Sequence, residues 1–323
     1  MLPSRSNILL HNAATTVKWR LVATADGPLA PLIRSWLRSL RAAAKPETTI
    51  KQYRIAVTGL DQFLAERQTE DLDVRGLRSA TVDWLAKLNG AGYAPATVAV
   101  RFAACSRFFA WCVAEEELPG NPMAGLERPS VPEKPVQVPA ADMVTALLKS
   151  TAGRDFRSRR DHAIIRLLAD TGMRRGECAA LKVADIDLDA QVAYITGKGN
   201  RPRVCPFGAK TAQALDRYLR VRSRHKGARL DDLWLTEQRV SSLSYHMIGL
   251  MVRERAAALG FDLHPHQLRH LFAHTWKAEG GNEDDLMRLG GWRSHTVMRR
   301  YGSALADERA REAHRKMSLG DRF

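Results

Sequence analysis

The sequence predicts a mainly α-helical protein of two domains, with a small antiparallel β-sheet in the second domain. Over most of the chain, apolar residues recur three or four positions apart, which is the spacing of an amphipathic helix. The chain has 323 residues, and one hydrophobic core rarely serves more than about 250. A stretch at 118–139 holds six of the 14 prolines and marks the boundary between the domains.

The first domain is predicted to be a bundle of about four helices over residues 28–117. Residues 1–27 lack a sustained period, so we expect a loose N-terminal arm there. Pro46 and Pro95 suit first-turn positions of helices. The four helical patterns are PLIRSWLRSLRAAA, TIKQYRIAVTGLDQFLAER, SATVDWLAKLNGAG and APATVAVRFAACSRFFAWCVAEE. Their spacing places a set of apolar side chains in the core: Leu32, Trp36, Leu40, Phe102, Phe109 and Val113.

Residues 118–139 are predicted to form an extended linker, because proline lacks an amide hydrogen and breaks helices. The second domain then spans 140–317 and is followed by a short tail at 318–323. Within it, QVAYITGKGNRPRVCPF alternates like two short strands around a glycine-rich turn. A turn and a short helix are predicted within TGMRRGECAALKVADI. Further helices are predicted near 140–151, 158–171, 209–225, 243–259, 265–279, 283–290, 294–301 and 304–316.

The charge of the chain points to a polyanionic partner. Lys and Arg exceed Asp and Glu by 50 − 35 = 15, and the isoelectric point is about 10.1. The basic residues recur along the whole chain, and neutralising phosphates releases counterions, so we favour nucleic acid. A ribosome-associated or merely basic protein is the alternative.

The compartment is predicted to be the cytosol. The four cysteines show no CxxC pairing, which is typical of reduced core residues rather than a disulfide framework or a zinc ribbon. No apolar run approaches the roughly 20 residues of a membrane helix, and the N-terminal stretch lacks the pattern of a signal peptide.

The stretch HPHQLRH, 264–270, is a candidate phosphate site. Pro265 suits the first turn of a helix, which places His266 and Arg269 on one face near the positive end of the helix dipole. A metal site from His266, His270 and His274 is the alternative, but it lacks a nearby acid and carries an arginine. Surface histidines are the plainest interpretation of this stretch alone.

Two other stretches carry cations that could act on the same phosphate. In TGMRRGE, Thr171-Gly172 predicts a helix stop, Arg174 offers a planar donor fork, and Glu177 could hold it in place. In GKGNRPR, Lys198 lies on a glycine-flanked turn and could donate a proton if nearby arginines lower its pKa. A surface ion pair and a solvated lysine are the respective alternatives.

The stretch GGWRSHTVMRRYG, 290–302, adds a candidate nucleophile and a donor. The Tyr301 hydroxyl needs a cationic site or a base to act as a nucleophile. Trp292 carries an indole N–H that could bond a phosphate oxygen. A core tryptophan and a half-buried tyrosine are the alternatives.

In this order, the four stretches TGMRRGE, GKGNRPR, HPHQLRH and GGWRSHTVMRRY resemble the conserved boxes of the tyrosine recombinase (phage integrase) family. The resemblance covers about residues 28–317 and is closest to compact members of the Xer or Cre kind. It implies a helical, SAM-like core-binding domain at 28–117 and a catalytic domain at 140–317, which together form a C-shaped clamp on double-stranded DNA.

The resemblance also implies a role for each candidate residue. Arg174, His266 and Arg269 would bind the non-bridging oxygens of the scissile phosphate. Glu177 would support the geometry of the site. Lys198 would protonate the leaving 5′-oxygen while Tyr301 attacks phosphorus to give a 3′-phosphotyrosyl link, without ATP, metal or cofactor.

The resemblance has two departures from the family pattern. Trp292 stands where many members have histidine, so it can donate a hydrogen bond but cannot act as an acid or base. HLFAHTW follows Arg269 where many members have a Thr-Phe-Ala-Thr-His pattern, which leaves the packing of that helix less determined.

As partners, the resemblance implies DNA with paired inverted arms, a homodimer on one site and a tetramer at synapsis, with strand exchange through a Holliday junction. The protein would be bacterial, cytoplasmic and nucleoid-associated. A C-terminal helix near 304–316 would dock on a neighbouring protomer or on its own domain. Further phosphate contacts are expected from basic residues of both domains: Arg34, Arg38, Lys51, Arg54, Arg101, Arg107, Arg201 and Arg203.

Three other functions remain open on the sequence. A type IB topoisomerase shares this chemistry but nicks and reseals one duplex. A DNA-binding protein without catalysis would need no intact residue set. A metal-dependent nuclease is the most distant alternative.

Overall fold

The computed structural model describes residues 27–67, 73–132, 137–197 and 201–295, together with 311, 314, 315 and 317. The chain forms two compact units, one ending at Glu133 and the other beginning at Lys134. The predicted N-terminal arm, apart from Gly27, and most of the predicted helices at 294–301 and 304–316 lie outside the described residues.

The first unit is a bundle of four helices: α1 (Ala30–Ala42), α2 (Glu47–Glu66), α3 (Val74–Gly90) and α4 (Pro95–Ala114). Trp36 is buried near its centre, where its ring lies 5.4 Å from that of Tyr53 and 5.3 Å from that of Phe108. Of the predicted core residues, Trp36, Phe102 and Phe109 are buried, and the others pack partly buried against the same core: Leu32, Leu40 and Val113.

The first unit differs from the prediction at three helix and segment boundaries. Helix α3 begins at Val74 rather than Ser79, because the Asp73 side chain accepts a hydrogen bond from the Gly76 N–H at 2.7 Å and caps the helix. Pro46 is the residue before α2 rather than part of its first turn. The predicted linker begins inside this unit, since Leu118 and Met123 are buried in its core.

Helix α4 is the described segment that comes nearest in composition to a membrane helix, although Arg101 and Arg107 interrupt its apolar run. Among the described helices it alone has the length and composition of a membrane span, with a mean hydropathy of 1.3. Its buried residues include Val98, Phe102, Cys105, Phe109 and Cys112, spaced three or four apart on one face. This face packs in the core of the first unit.

The second unit is mainly helical: α5 (Ala141–Ser150), α6 (Phe156–Thr171), α7 (Arg175–Ala180), α8 (Ala209–Arg222), α9 (Tyr245–Ala257), α10 (Pro265–Ala278) and α11 (Glu283–Gly290). Its strands β1 (Ile186–Asp187), β2 (Val192–Gly197) and β3 (Arg201–Pro206) form one antiparallel sheet in the order β1-β2-β3. The predicted fold class is therefore confirmed, with β1 as a short additional strand.

Helix α6 is the central element of the second unit. Ile164, Ile165, Leu167 and Leu168 are all buried, so the helix is surrounded by other elements. It ends at Thr171, and Gly172 follows in the left-handed region with φ +59°, which confirms the predicted helix stop. A β-carbon on Gly172 would lie 2.2 Å from the ring of Phe272 on α10, so only glycine allows α10 to pack over this turn.

The four cysteines are free and buried, two in each unit: Cys105, Cys112, Cys178 and Cys205. Burial raises the pKa of Cys105, Cys112 and Cys178 to about 12. The thiols are therefore protonated core groups, as the sequence predicts.

Candidate active site

Arg174 lies at the turn between α6 and α7. Its backbone N–H donates to Glu177 Oε2 at 2.7 Å, and its Nη1 donates to Oε1 at 2.9 Å. Its Nη2 donates to the carbonyl of Gly291 at 2.9 Å. The Arg174 side chain is 44% exposed, whereas that of Glu177 is 7% exposed. The guanidinium is thus held from behind while it faces solvent, which is the arrangement that an anion-binding arginine needs.

Arg203 on β3 is a second partner of Glu177. Its Nη1 and Nη2 donate to the two carboxylate oxygens at 3.0 and 2.7 Å. Burial raises the pKa of Glu177, but the bonds from Arg203 and Arg174 and the Arg203 charge outweigh burial and lower it to about 2. The carboxylate is therefore ionised at every physiological pH. The sequence suggested Arg203 as a DNA contact, but the structure places it in this ion pair.

Helix α10 carries His266 and Arg269 one turn apart. Arg269 is only 2% exposed, and its Nη1 donates to the carbonyl of Gly172 at 2.6 Å. Desolvation lowers the pKa of His266 below its usual value, and the charges of Arg269 and Arg174 lower it further. The imidazole is therefore neutral near pH 7 and can donate from one nitrogen and accept at the other.

Trp292 follows α11 and covers Arg269. The centre of its ring lies 3.6 Å from the Arg269 guanidinium carbon, a cation–π contact. Gly291 turns the chain with φ +65°, and a β-carbon on Gly290 would lie 1.7 Å from the Trp292 ring. The two glycines of GGW thus let the indole fold back onto α11 and lie over the arginine.

A cavity of about 500 Å³ lies between the turn before α7, α7 itself, α9 and the start of α10. It is lined by Arg174, His266 and Arg269, which the sequence prediction assigns to the phosphate, and by residues to which the prediction gives no contact with it: Met173, Arg175, Gly176, Tyr245, Arg253, His264 and Pro265. None of the described residues that line it is acidic. The lining is therefore strongly cationic and suits a phosphodiester.

Three of the other lining residues are Arg175, Tyr245 and Arg253. The Arg175 guanidinium lies 4.9 Å from the centre of the Tyr245 ring. Arg253 is exposed on α9, about two turns after Tyr245. Arg175 was visible beside Arg174 in TGMRRGE. No local pattern distinguishes Tyr245 or Arg253, because only the packing of α9 against α7 brings them to the cavity.

The other predicted site residues are placed as follows. Lys198 and Tyr301 lie outside the described residues, as does the side chain of Arg201. In the first unit, most of the basic candidates are exposed and Arg101 is half-buried over the ring of Tyr93; the exposed ones are Arg34, Arg38, Lys51, Arg54 and Arg107. Arg107 also donates to the Tyr53 hydroxyl.

The alternative metal site on α10 has no cluster of ligands among the described residues. His266 and His270 lie edge to face with ring centres 4.2 Å apart. Burial and neighbouring positive charges lower the pKa of His270 to about 4. Among the described residues, no group of three or more His, Cys, Asp or Glu is placed to hold a metal ion.

The chain thus combines a two-unit, mainly helical fold with a cationic pocket assembled from the turn before α7, α7 itself, α9 and the start of α10, and this pocket suits a phosphodiester. Comparison with known proteins makes the class specific. The sequence profile of the phage integrase family matches residues 140–308.

Two relatives are similar over most of the chain. Tyrosine recombinase XerC of Actinobacillus pleuropneumoniae serotype 7 (strain AP76) is 32% identical over 208 residues, which cover 63% of this chain and 67% of that protein. Tyrosine recombinase XerC of Chromobacterium violaceum is 30% identical over 255 residues, which cover 77% and 82%.

A solved structure shares the fold. The XerH site-specific recombinase bound to a palindromic difH substrate in a post-cleavage complex matches with a TM-score of 0.68 and 18% identity, over 87% of this chain and 83% of that chain.

The chain belongs to the phage integrase family and is a tyrosine recombinase. The resemblance drawn from the four sequence boxes is thereby confirmed, and the partner of the protein is DNA.

Proposed function

We propose that this tyrosine recombinase cuts and rejoins DNA at specific sites through a 3′-phosphotyrosyl intermediate. The observation that carries the proposal is the cationic cavity, in which Arg174, His266 and Arg269 converge from distant parts of the sequence and no described lining residue is acidic. Such a pocket stabilises the extra negative charge of a pentavalent phosphorus transition state more than that of the ground state.

In the proposed reaction, the Tyr301 oxygen bonds to phosphorus as the bond to the 5′-oxygen breaks. Lys198 gives a proton to that leaving oxygen, and the tyrosine hydroxyl proton passes to a base, for which neutral His266 is suited. Arg174 and Arg269 bind the non-bridging oxygens. The phosphotyrosyl ester keeps the energy of the broken bond, so the reverse attack by a 5′-hydroxyl reseals a strand without ATP.

The cavity has room for more of the substrate strand than the scissile phosphate. Arg175 and Arg253 lie in its lining beside Tyr245, and neither arginine has an acidic partner among the described residues. We propose that they bind a neighbouring phosphate of the same strand, which fixes the register of the cut.

For the assembly, we propose a homodimer on two inverted arms, a tetramer that joins two sites, and exchange through a Holliday junction. Both units would contact the duplex, with exposed basic residues of the first unit on phosphates. The protein would act on the nucleoid of a bacterial cytoplasm.

The C-terminal segment near 304–316 is proposed to dock on a neighbouring protomer. An apolar cavity of about 590 Å³ in the second unit, lined in part by Phe207, Leu271, Phe272, Trp276 and Leu289, offers a site for its apolar face. Removing residues 304–323 should abolish synapsis while leaving half-site binding within a few-fold. Unchanged synapsis would favour a helix that packs on its own domain.

The function is tested on supercoiled DNA in the presence of EDTA. We expect a covalent protein–DNA adduct that is lost in Tyr301→Phe, with the protein on the 3′ side of the break. An adduct without recombination of a two-site plasmid would indicate the topoisomerase alternative. DNA binding without any adduct would indicate a catalytically silent protein, and cutting that EDTA abolishes would indicate a metal-dependent nuclease.

A further inference from the structure

Arg203 uses all three of its guanidinium nitrogens inside the protein. Nη1 and Nη2 donate to the two oxygens of Glu177, and Nε donates to the carbonyl of Leu289 at 2.9 Å. Its side chain is 12% exposed. A group with these bonds and this burial is poorly placed to contact DNA, so its presence in the site calls for another role.

The bonds of Arg203 join three segments that carry separate parts of the site. Glu177 holds both the backbone and the side chain of Arg174. The carbonyl of Leu289 lies three residues before Trp292, in the same turn whose Gly291 carbonyl accepts from Arg174. Arg203 itself lies on β3, the element that follows Lys198 along the chain.

The guanidinium is also packed closely against this turn. A β-carbon on Gly291 would lie 3.1 Å from Arg203 Nη1. Each oxygen of Glu177 accepts one bond from Arg174 and one from Arg203. Glu177 is thus shared between the arginine that faces the cavity and the arginine that anchors it from behind.

We infer that Arg203 is a positioning residue: through Glu177 and the Leu289 carbonyl, it fixes Arg174 and the Trp292 segment relative to each other. The inference rests on the proposed function, since it concerns the geometry of the same phosphate site. Lysine cannot replace it, because one ammonium cannot bond two carboxylate oxygens and a carbonyl on a third segment in this fork geometry.

The test compares Arg203→Met and Arg203→Lys with the wild type on a nicked half-site that traps the covalent adduct. At saturating DNA, we expect the single-turnover cleavage rate to fall by about 100-fold in Arg203→Met, because small misplacements of reacting groups have effects of this order. We expect about a tenfold fall in Arg203→Lys, which keeps the charge. The half-site dissociation constant should stay within about threefold, since all three guanidinium nitrogens of Arg203 donate inside the protein rather than to a phosphate.

Arg255→Met is the matched control. Arg255 also places two nitrogens on a buried carboxylate, with Nε and Nη2 3.2 and 2.8 Å from Asp161 Oδ2, but it is not among the residues that line the cavity. A merely structural role predicts that both methionine variants lose thermal stability and cleave at the wild-type rate per folded molecule. That result would overturn the inference.

Two further readouts identify the route through Glu177. In a double-mutant cycle, adding Arg203→Met to Glu177→Gln should lower the cleavage rate little below that of Glu177→Gln alone. If the two residues acted independently, the fold-reductions in rate would multiply. Arg203→Met removes the hydrogen bonds and the charge of Arg203 that lower the Glu177 pKa, so this pKa rises, and cleavage should be lost at a higher pH than in the wild type as the solution is acidified. The inference would be contradicted if the two fold-reductions in cleavage rate multiplied and the pH profile of Arg203→Met matched that of the wild type.

The outcomes separate this inference from the proposed function. Weaker half-site binding with a wild-type cleavage rate at saturation would make Arg203 a DNA contact and overturn the inference alone. If the wild-type protein forms no adduct, the proposed function fails, and titration with tungstate as a phosphate analogue still decides the inference. We then expect about tenfold weaker tungstate binding in Arg203→Met and unchanged binding in Arg255→Met; equal binding in both would overturn it.

Discussion

The contact between Trp292 and Arg269 predicts a difference between two substitutions of the tryptophan. Trp292→Phe keeps an aromatic face over the guanidinium, whereas Trp292→Ala removes it. The ring centre lies 3.6 Å from the guanidinium carbon, and Arg269 is only 2% exposed, so the cation–π contact is largely desolvated. Such contacts contribute about 1 to 2 kcal/mol, which corresponds to about a 5- to 30-fold change in rate if Arg269 is held in place by the stack.

We therefore expect Trp292→Ala to cleave about 5 to 30 times more slowly than Trp292→Phe. The assay is single-turnover adduct formation on a nicked half-site at saturating DNA, with thermal unfolding to correct for the folded fraction. The ratio of the wild-type cleavage rate to that of Trp292→Phe separately measures how much the indole N–H contributes as a hydrogen-bond donor to the phosphate. Equal rates for the alanine and phenylalanine variants would refute the stacking argument and leave the N–H as the function of this residue.

Three further predictions follow from the same geometry. The folded-state pKa of Glu177 is about 2 against an ordinary 4.5, which implies about 3 kcal/mol of stability that is present above pH 4.5 and lost as the pH falls towards 2. In urea unfolding, the difference in unfolding free energy between the wild type and Glu177→Gln should therefore become smaller from pH 6 to pH 3. A difference that stays constant over this range would contradict the prediction. Gly290→Ala should destabilise the protein by about 1 to 3 kcal/mol, because its β-carbon would lie 1.7 Å from the Trp292 ring; calorimetry that finds an unchanged melting temperature would exclude this packing. If Arg253 contacts one phosphate, Arg253→Gln should reduce the slope of log Kd against log salt concentration for half-site binding by about 0.9. An unchanged slope, measured by fluorescence anisotropy, would show that Arg253 does not contact DNA.

Local sequence patterns were enough to predict most helices. Regular apolar spacing marked α1, α2 and α4, and Gly172 marked the end of α6. The start of α3 was missed because Arg75 and Gly76 interrupt the apolar pattern, while the cap from Asp73 depends on one side-chain bond. Strand β1 was missed because two residues are too few to show an alternation.

The site was predictable where its residues occur in recognisable stretches and not where long-range pairing decides a role. Arg174, His266 and Arg269 were named from the sequence, and the structure brings them to one cavity. As an arginine in a basic stretch, Arg203 is predicted from the sequence to contact DNA. Its actual partners, Glu177 and the carbonyl of Leu289, are 26 and 86 residues away, and no periodicity reports such a contact.

The burial of all four thiols has a practical consequence for studying how this protein opens. Cys105 and Cys112 belong to one compact unit, whereas Cys178 and Cys205 belong to the other. A maleimide reagent can modify these residues only when the surrounding core separates, so peptide mapping after timed labelling would report the opening rate of each unit independently. The native chain thus already contains a pair of internal reporters for each half.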